Sequence, residues 1–236
     1  MSAKSPLPAL QLQQVRISDQ IADHIVRYIA ENRLEPGQSL PSESELTKLF
    51  GVSRPTVREA TNALVGRGLI AVSTGKSPTV LPLSKAPFSS LARHGLATQQ
   101  ITPIQILEVR HSLDLQAAVL AAEHRTDDDI ACLNAIVEQM PAAIYNVEAF
   151  SPLDAAFHEA IGQATQNPLL SAIISGISAI LFESTRSVHS LTRNKEDWDS
   201  VLSNHQALAN AIIKSNAATA RRLVDVHYVN AYKRYD

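Results

Sequence analysis

Cysteine is almost missing from this chain: Cys132 stands alone among 236 residues, which excludes an internal disulfide. Aromatic residues are scarce at 5%, so a surface built to stack single-stranded bases is not expected. Long hydrophobic runs are lacking too. The most apolar stretch, "LLSAIISGISAILF" at 169–182, is too short and too often broken by serine to span a bilayer, and it reads as a buried helix. The opening "MSAKSPLPALQLQQV" has no apolar centre fit for a secretory signal, which points to a cytoplasmic location without a membrane. What is there is 45% hydrophobic and 19% charged, the composition of a soluble globular protein with a buried core. The net charge of −2 hides an asymmetry, with +3 over residues 1–85 and −5 over the rest. A mildly basic front and an acidic back suit a polyanion-binding module joined to something else.

The front reads as helices and a hairpin. Ile21, Ile25, Tyr28 and Ile29 share one helical face, and the turn-rich "LEPGQSLP" follows at 34–41. Ser42 and Glu45 then have capping-box spacing, opening a short helix that stops at Phe50-Gly51. Ser53 caps a third helix with Pro55 in its first turn, where a missing N–H is harmless. Val57, Ala60 and Leu64 face inward, while Arg54, Arg58 and Asn62 lie on another face. Gly66 and Gly68 end the helix, and "LIAVSTGKSPTVLPL" reads as two short strands around a Gly75-Lys76 tip. Three helices and a two-stranded wing make a winged helix-turn-helix over residues 1–83. The second helix of the pair would enter the major groove of double-stranded DNA, where an arginine can fork onto guanine. A winged helix used for protein contacts would not need caps, glycine stops and arginine spacing to agree in this way.

"LPSESELTKLFGVSRPTVREATNALVGRGLI" resembles the DNA-binding signature of the GntR family of bacterial transcription regulators, and the resemblance covers about residues 17–83. By matching position it implies DNA contacts from Ser53, Arg54, Thr56 and Arg58, with Thr74, Gly75 and Lys76 in the wing. Ser44 stands where the family usually carries arginine, so one contact is missing relative to its pattern.

Residues 84–102, rich in Pro, Ser and Gln, read as a linker with room for one short helix, and 103–236 as an all-α bundle expected to dimerise and to bind metal and effector. Helical periodicity places elements at about 103–125, 127–140, 147–165, 168–188, 196–214 and 217–234. "ILEVRHSLDLQAAVLAAEHRTDDDIACL" and "DAAFHEAIGQATQNPLL" resemble parts of the all-helical FCD domain found in the FadR branch of the same family, up to about residue 230.

Polar residues on the apolar stripes of this bundle carry the chemistry. Asp154 and His158 are four apart on one helix face. His205 and His227 lie on the inward stripes of the last two helices, each eleven residues from a turn near 216, and so at nearly one height. A buried carboxylate needs compensation, which a divalent cation supplies. Three imidazoles and a carboxylate suit zinc first, with nickel, manganese or iron as alternatives. The FCD resemblance implies the same ligand set, since many members hold a metal through one Asp and three His at matching positions. Arg110 shares the inward stripe of Ile106, Leu113 and Ala117, and either pairs with Asp114 four residues on or receives an anion. The resemblance implies that this arginine helps bind an acidic effector.

Other residues are less telling. Arg186 and His189 could line a pocket, Trp198 could be a wall or a lid, and Cys132 reads as a small core residue. His24, His94, His111 and His124 read as surface or linker residues. The expectation is a non-enzymatic regulator, homodimeric on a palindromic operator, controlled by a small organic or sugar acid. Two alternatives stay open: a metallohydrolase with an appended DNA module, and a DNA-binding protein whose metal is purely structural. Against the first, "HEAIG" puts Gly162 where a zinc-protease helix needs its second histidine.

Overall fold

The chain divides between Pro82 and Leu83 into two units, each with its own core. The computed structural model describes residues 16–190 and 194–232, and for 181–190 the backbone alone. The architecture is mainly α: a winged helix-turn-helix followed by a helical domain.

In the first unit, α1 (Ile17–Glu31), α2 (Glu43–Phe50) and α3 (Arg54–Gly66) pack around Ile21, Ile25, Leu46, Val57 and Leu64. The ends of these helices are chemically specified. Ser42 and Glu45 form a reciprocal capping box on α2. Gly51 closes α2 at φ 65°, a left-handed conformation that glycine adopts without steric cost, and its N–H reaches the Thr47 carbonyl. Ser53 then caps α3 through the Thr56 N–H. The wing is β1 (Ile70–Ala71) paired antiparallel with β2 (Thr79–Val80) in the register Ile70 to Val80. Ile70 and Val80 face the same core as the helices, so the wing is anchored at its base while its tip stays exposed.

The second unit holds α4 (Ala86–Ala97), α5 (Pro103–His124), α6 (Asp127–Ala143), α7 (Val147–Ala164), α8 (Pro168–Ser190), α9 (Lys195–Ile213) and α10 (Ala217–Tyr232). Thr102 with Gln105 and Thr126 with Asp129 form capping boxes on α5 and α6. Asn146 and Asn194 cap α7 and α9. Arg125 donates from Nε and Nη2 to the Ile213 carbonyl, at 3.1 and 2.8 Å, satisfying an orphan acceptor at the end of α9. Phe150, Phe157, Leu133, Met140 and Ile212 are fully buried and form the centre of the bundle.

The reading of 84–102 as a linker needs correction. Twelve of those residues form α4, which packs on α8. The contact is tight because Gly176 has no side chain: a Cβ there would lie 2.6 Å from the Phe88 Cβ and 3.0 Å from the Lys85 carbonyl. Lys85 also pairs with Glu159 of α7 at 2.8 Å. The short helix that the linker reading allowed is part of the bundle, because Ala92 and Leu96 give α4 an apolar side that joins the cluster of Ile106, Ile177 and Ile180. Among the described residues, no helix is long and apolar enough to cross a membrane.

Candidate functional site

Two places in the molecule gather chemistry. In the first unit, the start of α2, the exposed side of α3 and the wing line one groove of about 580 Å³. Arg54, Arg58, Thr74, Gly75 and Lys76 border it, with Asn62 one turn beyond Arg58. Ser53 and Thr56 sit at the start of α3, where their hydroxyls bond to each other at 2.8 Å. Gly75 turns the wing tip at φ 74°. Sequence reasoning missed Glu43, the first residue of α2, whose Oε2 accepts from Arg58 Nε at 3.0 Å. No spacing rule links residues on different helices, so only the fold reveals that pair.

In the second unit, α7, α9 and α10 bring Asp154, His158, His205 and His227 together, with one ligand atom from each within 4.8 Å of the others. The ring centroids of His205 and His227 are 4.9 Å apart, and those of His158 and His227 are 5.3 Å apart. Bonds of about 2.0–2.2 Å to a common ion need donor separations of roughly 3–4 Å, so a small inward movement completes the set.

The donor chemistry supports that fit. His205 Nδ1 lies 2.8 Å from the Val201 carbonyl, which can only accept, so Nδ1 carries the proton. The other ring nitrogen, Nε2, faces Asp154 Oδ1 at 2.9 Å. Two lone pairs repel at that distance unless a proton or a shared cation lies between them. His158 Nε2 is buried without a hydrogen-bond partner and lies 3.8 Å from the same Asp154 oxygen.

Behind the cluster stands Asp114 on α5. Its Oδ2 lies 2.7 Å from His158 Nδ1, an ion-pair distance without good hydrogen-bond alignment. Tyr228 donates its hydroxyl to that oxygen at 2.5 Å, and Arg110 Nε lies 3.4 Å away. Such a carboxylate orients a ligating imidazole from behind. Burial pushes the Asp114 carboxyl up, but the adjacent His158 ring, then the Arg110 charge, outweigh it and hold it below its ordinary value. Burial, then the Arg110 charge, lowers His158 against the pull of Asp114. His227 keeps partial exposure, yet desolvation, followed by the neighbouring His205 and His158, pushes it well below the ordinary range. Lowered imidazoles are neutral at pH 7 and free to donate to a cation.

Arg110 takes the local partner that its spacing allowed, Asp114. It is buried and ion-paired with Asp114, while its Nε and Nη2 lack hydrogen-bond partners. Burial lowers its pKa, but Tyr228 and the two aspartates outweigh that and raise it, so the guanidinium stays charged. A buried cation with spare donors can accept a further hydrogen-bonding partner, and an anion suits it in charge.

Several sequence readings shift. His111 is half-buried rather than a surface residue, stacked on Tyr228 at 4.6 Å and paired with Asp225 at 3.0 Å. Cys132 is exposed: its neighbour Leu133 takes the core position, and Cys132 lies about 100° further round the helix. Trp198 is buried against the edge of Phe150, which makes it a wall of the core. The side chains of Arg186 and His189 lie outside the described residues. Tyr228 had no sequence signal beyond its stripe, and Asp114 was visible only as a partner of Arg110.

Residues 17–80 match the family described as bacterial regulatory proteins, gntR family, and residues 105–230 match the FCD domain. The chain is 32% identical over 217 residues to the Glc operon transcriptional activator of Escherichia coli strain K12, across 89% of this chain and 85% of that protein. It is 30% identical over 204 residues to the HTH-type transcriptional regulator LutR of Bacillus subtilis strain 168, across 86% and 93%. The solved structure of Streptococcus agalactiae GntR aligns with a TM-score of 0.66 at 23% identity, over 93% of this chain and all of that one, a likeness of fold alone.

Proposed function

Since the chain belongs to the GntR family of bacterial regulatory proteins and carries an FCD domain, we propose that it is a homodimeric, cytoplasmic regulator whose operator affinity is set by a small acid bound beside a metal. That it is a DNA-binding transcription regulator with an effector-binding domain follows from the family itself.

In the proposed reading, Arg54 and Arg58 reach base edges, while Lys76, a flexible point charge, meets phosphate. Ser53, Thr56, Thr74 and Gly75 hold the helix start and the wing against the backbone. Two-fold symmetry extends a short half-site into a palindrome.

Asp154, His158, His205 and His227 would hold the metal, with zinc as the first expectation and nickel, manganese or iron as alternatives. When bound, such an ion supplies a positive centre with coordination positions open to oxygen. The chain's own residues do the rest. Asp114 and the Val201 carbonyl orient two of the imidazoles. Arg110 offers a fork that matches a carboxylate. The single observation that carries the reading is this arginine, buried and charged with spare donors and joined to His158 through Asp114. An organic or sugar acid held there ties α5 to the helices bearing the ligands. Its preference for one dimer arrangement would shift DNA affinity by a coupling of about 1–3 kcal/mol. In this reading the acid is sensed and not turned over.

The test is calorimetric titration of a panel of small organic and sugar acids into metal-loaded, chelator-stripped and Arg110→Ala protein. Binding should weaken in the last two. An acid that binds all three equally sits elsewhere, and one that is consumed on incubation restores the hydrolase alternative.

A further inference from the structure

The groove of the first unit contains a residue that DNA affinity alone does not explain. Among the described residues that line it, Glu43 is the one acid. Facing a polyanion, an unneutralised carboxylate repels the phosphates that dominate binding. Ser44 beside it brings no charge. The partner is Arg58, fifteen positions on and in another helix, whose Nε donates to Glu43 Oε2 at 3.0 Å. The Glu43 side chain is 28% exposed and that of Arg58 66%, so the acid lies deeper and the guanidinium projects past it. An ion pair this exposed adds little to stability.

We propose that Glu43 is a specificity-determining residue that acts through Arg58, fixing its guanidinium so that it reads one guanine in each half-site. The proposal rests on the reading of α3 as the helix that contacts bases.

Three consequences of the pair carry it. First, with Nε taken by Glu43, the edge of the guanidinium left open is the one bearing the two terminal nitrogens. Two parallel N–H donors there match guanine O6 and N7. Second, the carboxylate discriminates between targets of Arg58. A phosphate brought to that edge sits near a second negative charge, whereas the neutral edge of a base does not. Glu43 therefore weakens the sequence-independent use of Arg58 and spares the sequence-dependent one. Third, the pair restrains a long side chain before DNA arrives, which lowers the ordering cost of a bidentate contact. Arg54, one turn earlier on α3, has no ion pair among the described residues and keeps its freedom to meet phosphate or base.

The experiment is selection of duplexes from a randomised pool by the full-length protein. Wild type, Glu43→Gln, Glu43→Ala, Arg58→Ala and the double Ala variant are compared, with per-position base preference read by sequencing and random-duplex affinity by titration. Wild type should prefer guanine at one position of each half-site by about tenfold or more, and Glu43→Ala should reduce that to less than about threefold while tightening random-duplex binding. Glu43→Gln keeps an acceptor for Nε and loses the charge, so it should retain the guanine preference and still bind random DNA more tightly. In the Arg58→Ala background, removing Glu43 should change no base preference. Matching melting temperatures across the set would rule out a folding defect. Unchanged base preferences in Glu43→Ala overturn the proposal. So does a preference that Glu43→Ala alters even without Arg58, since Glu43 would then be reading a base itself. A wild-type protein that selects no sequence removes the premise about α3 and the proposal with it, a result distinguishable from either.

Discussion

Replacing Asp114 by alanine should damage the proposed metal centre and the fold in separable amounts. One carboxylate oxygen meets His158 Nδ1 at 2.7 Å, the Tyr228 hydroxyl at 2.5 Å and Arg110 Nε at 3.4 Å, all in the interior of the bundle. Alanine leaves the Arg110 charge buried without its nearest counter-charge, a defect worth about 3–5 kcal/mol of stability. It also frees the His158 ring to turn. Loss of such an orienting partner weakens metal binding by about 10–100-fold, or roughly 1.4–2.7 kcal/mol. Asparagine keeps the volume and one acceptor, so it should fall between wild type and alanine on both scales. Urea unfolding of chelator-treated protein reads the first effect. Competition against a chromophoric zinc chelator reads the second. If zinc affinity stays within about twofold of wild type while stability falls, Asp114 serves helix packing alone and the argument for its role behind His158 collapses.

Other outcomes follow from the same geometry. Arg54→Ala and Arg58→Ala should each cost about 1–3 kcal/mol on the selected operator, measured by fluorescence anisotropy, and unchanged affinity in both would remove α3 from the interface. Lys76→Ala should weaken operator and random duplex alike and flatten the salt dependence; a change confined to operator preference would make Lys76 a base reader. Elemental analysis should find about one divalent ion per chain, lost in His205→Ala and His227→Ala with helical circular dichroism retained, whereas full occupancy in both would contradict the ligand set. Gly176→Ala should destabilise the second unit by about 1–3 kcal/mol in thermal melts, because its Cβ would meet Phe88 at 2.6 Å; a neutral result would mean that α4 shifts freely on α8.

The legible parts of this molecule are those governed by local rules. Capping boxes at Ser42 and Thr126, the glycine stop at Gly51 and the inward stripe of α3 are fixed within a few residues of chain. The convergence of Asp154, His158, His205 and His227 was legible for a related reason, since one i, i+4 pair and two helices about one turn leave few ways to arrange them. The less legible parts depend on what a helix meets. Apolar residues of α4 look unremarkable among Pro, Ser and Gln until α8 supplies the complementary Gly176. His111 looks like a surface residue until Tyr228 of α10 stacks on it. Cys132 and Leu133 compete for one core position, and only packing against the other helices decides for Leu133. Glu43 finds Arg58 across a helix–helix contact that no periodicity encodes.

The hydrogen bond from His205 Nδ1 to the Val201 carbonyl has a consequence for how the regulator would read its surroundings. The ring is aimed by its own helix and by the packing of Phe150 and Phe157, and the bundle has an extensive apolar core of its own. In small metal-nucleated domains, binding energy is spent on folding, and the ion is effectively permanent. Under the proposed function the seat would stand nearly formed without its ion, so occupancy would be free to follow the supply of metal, and an acid that needs the ion as well as Arg110 would register only when both are present. Under the proposed function, the protein would act as a coincidence detector: a small acid and the metal would be two inputs, and neither alone would move the operator.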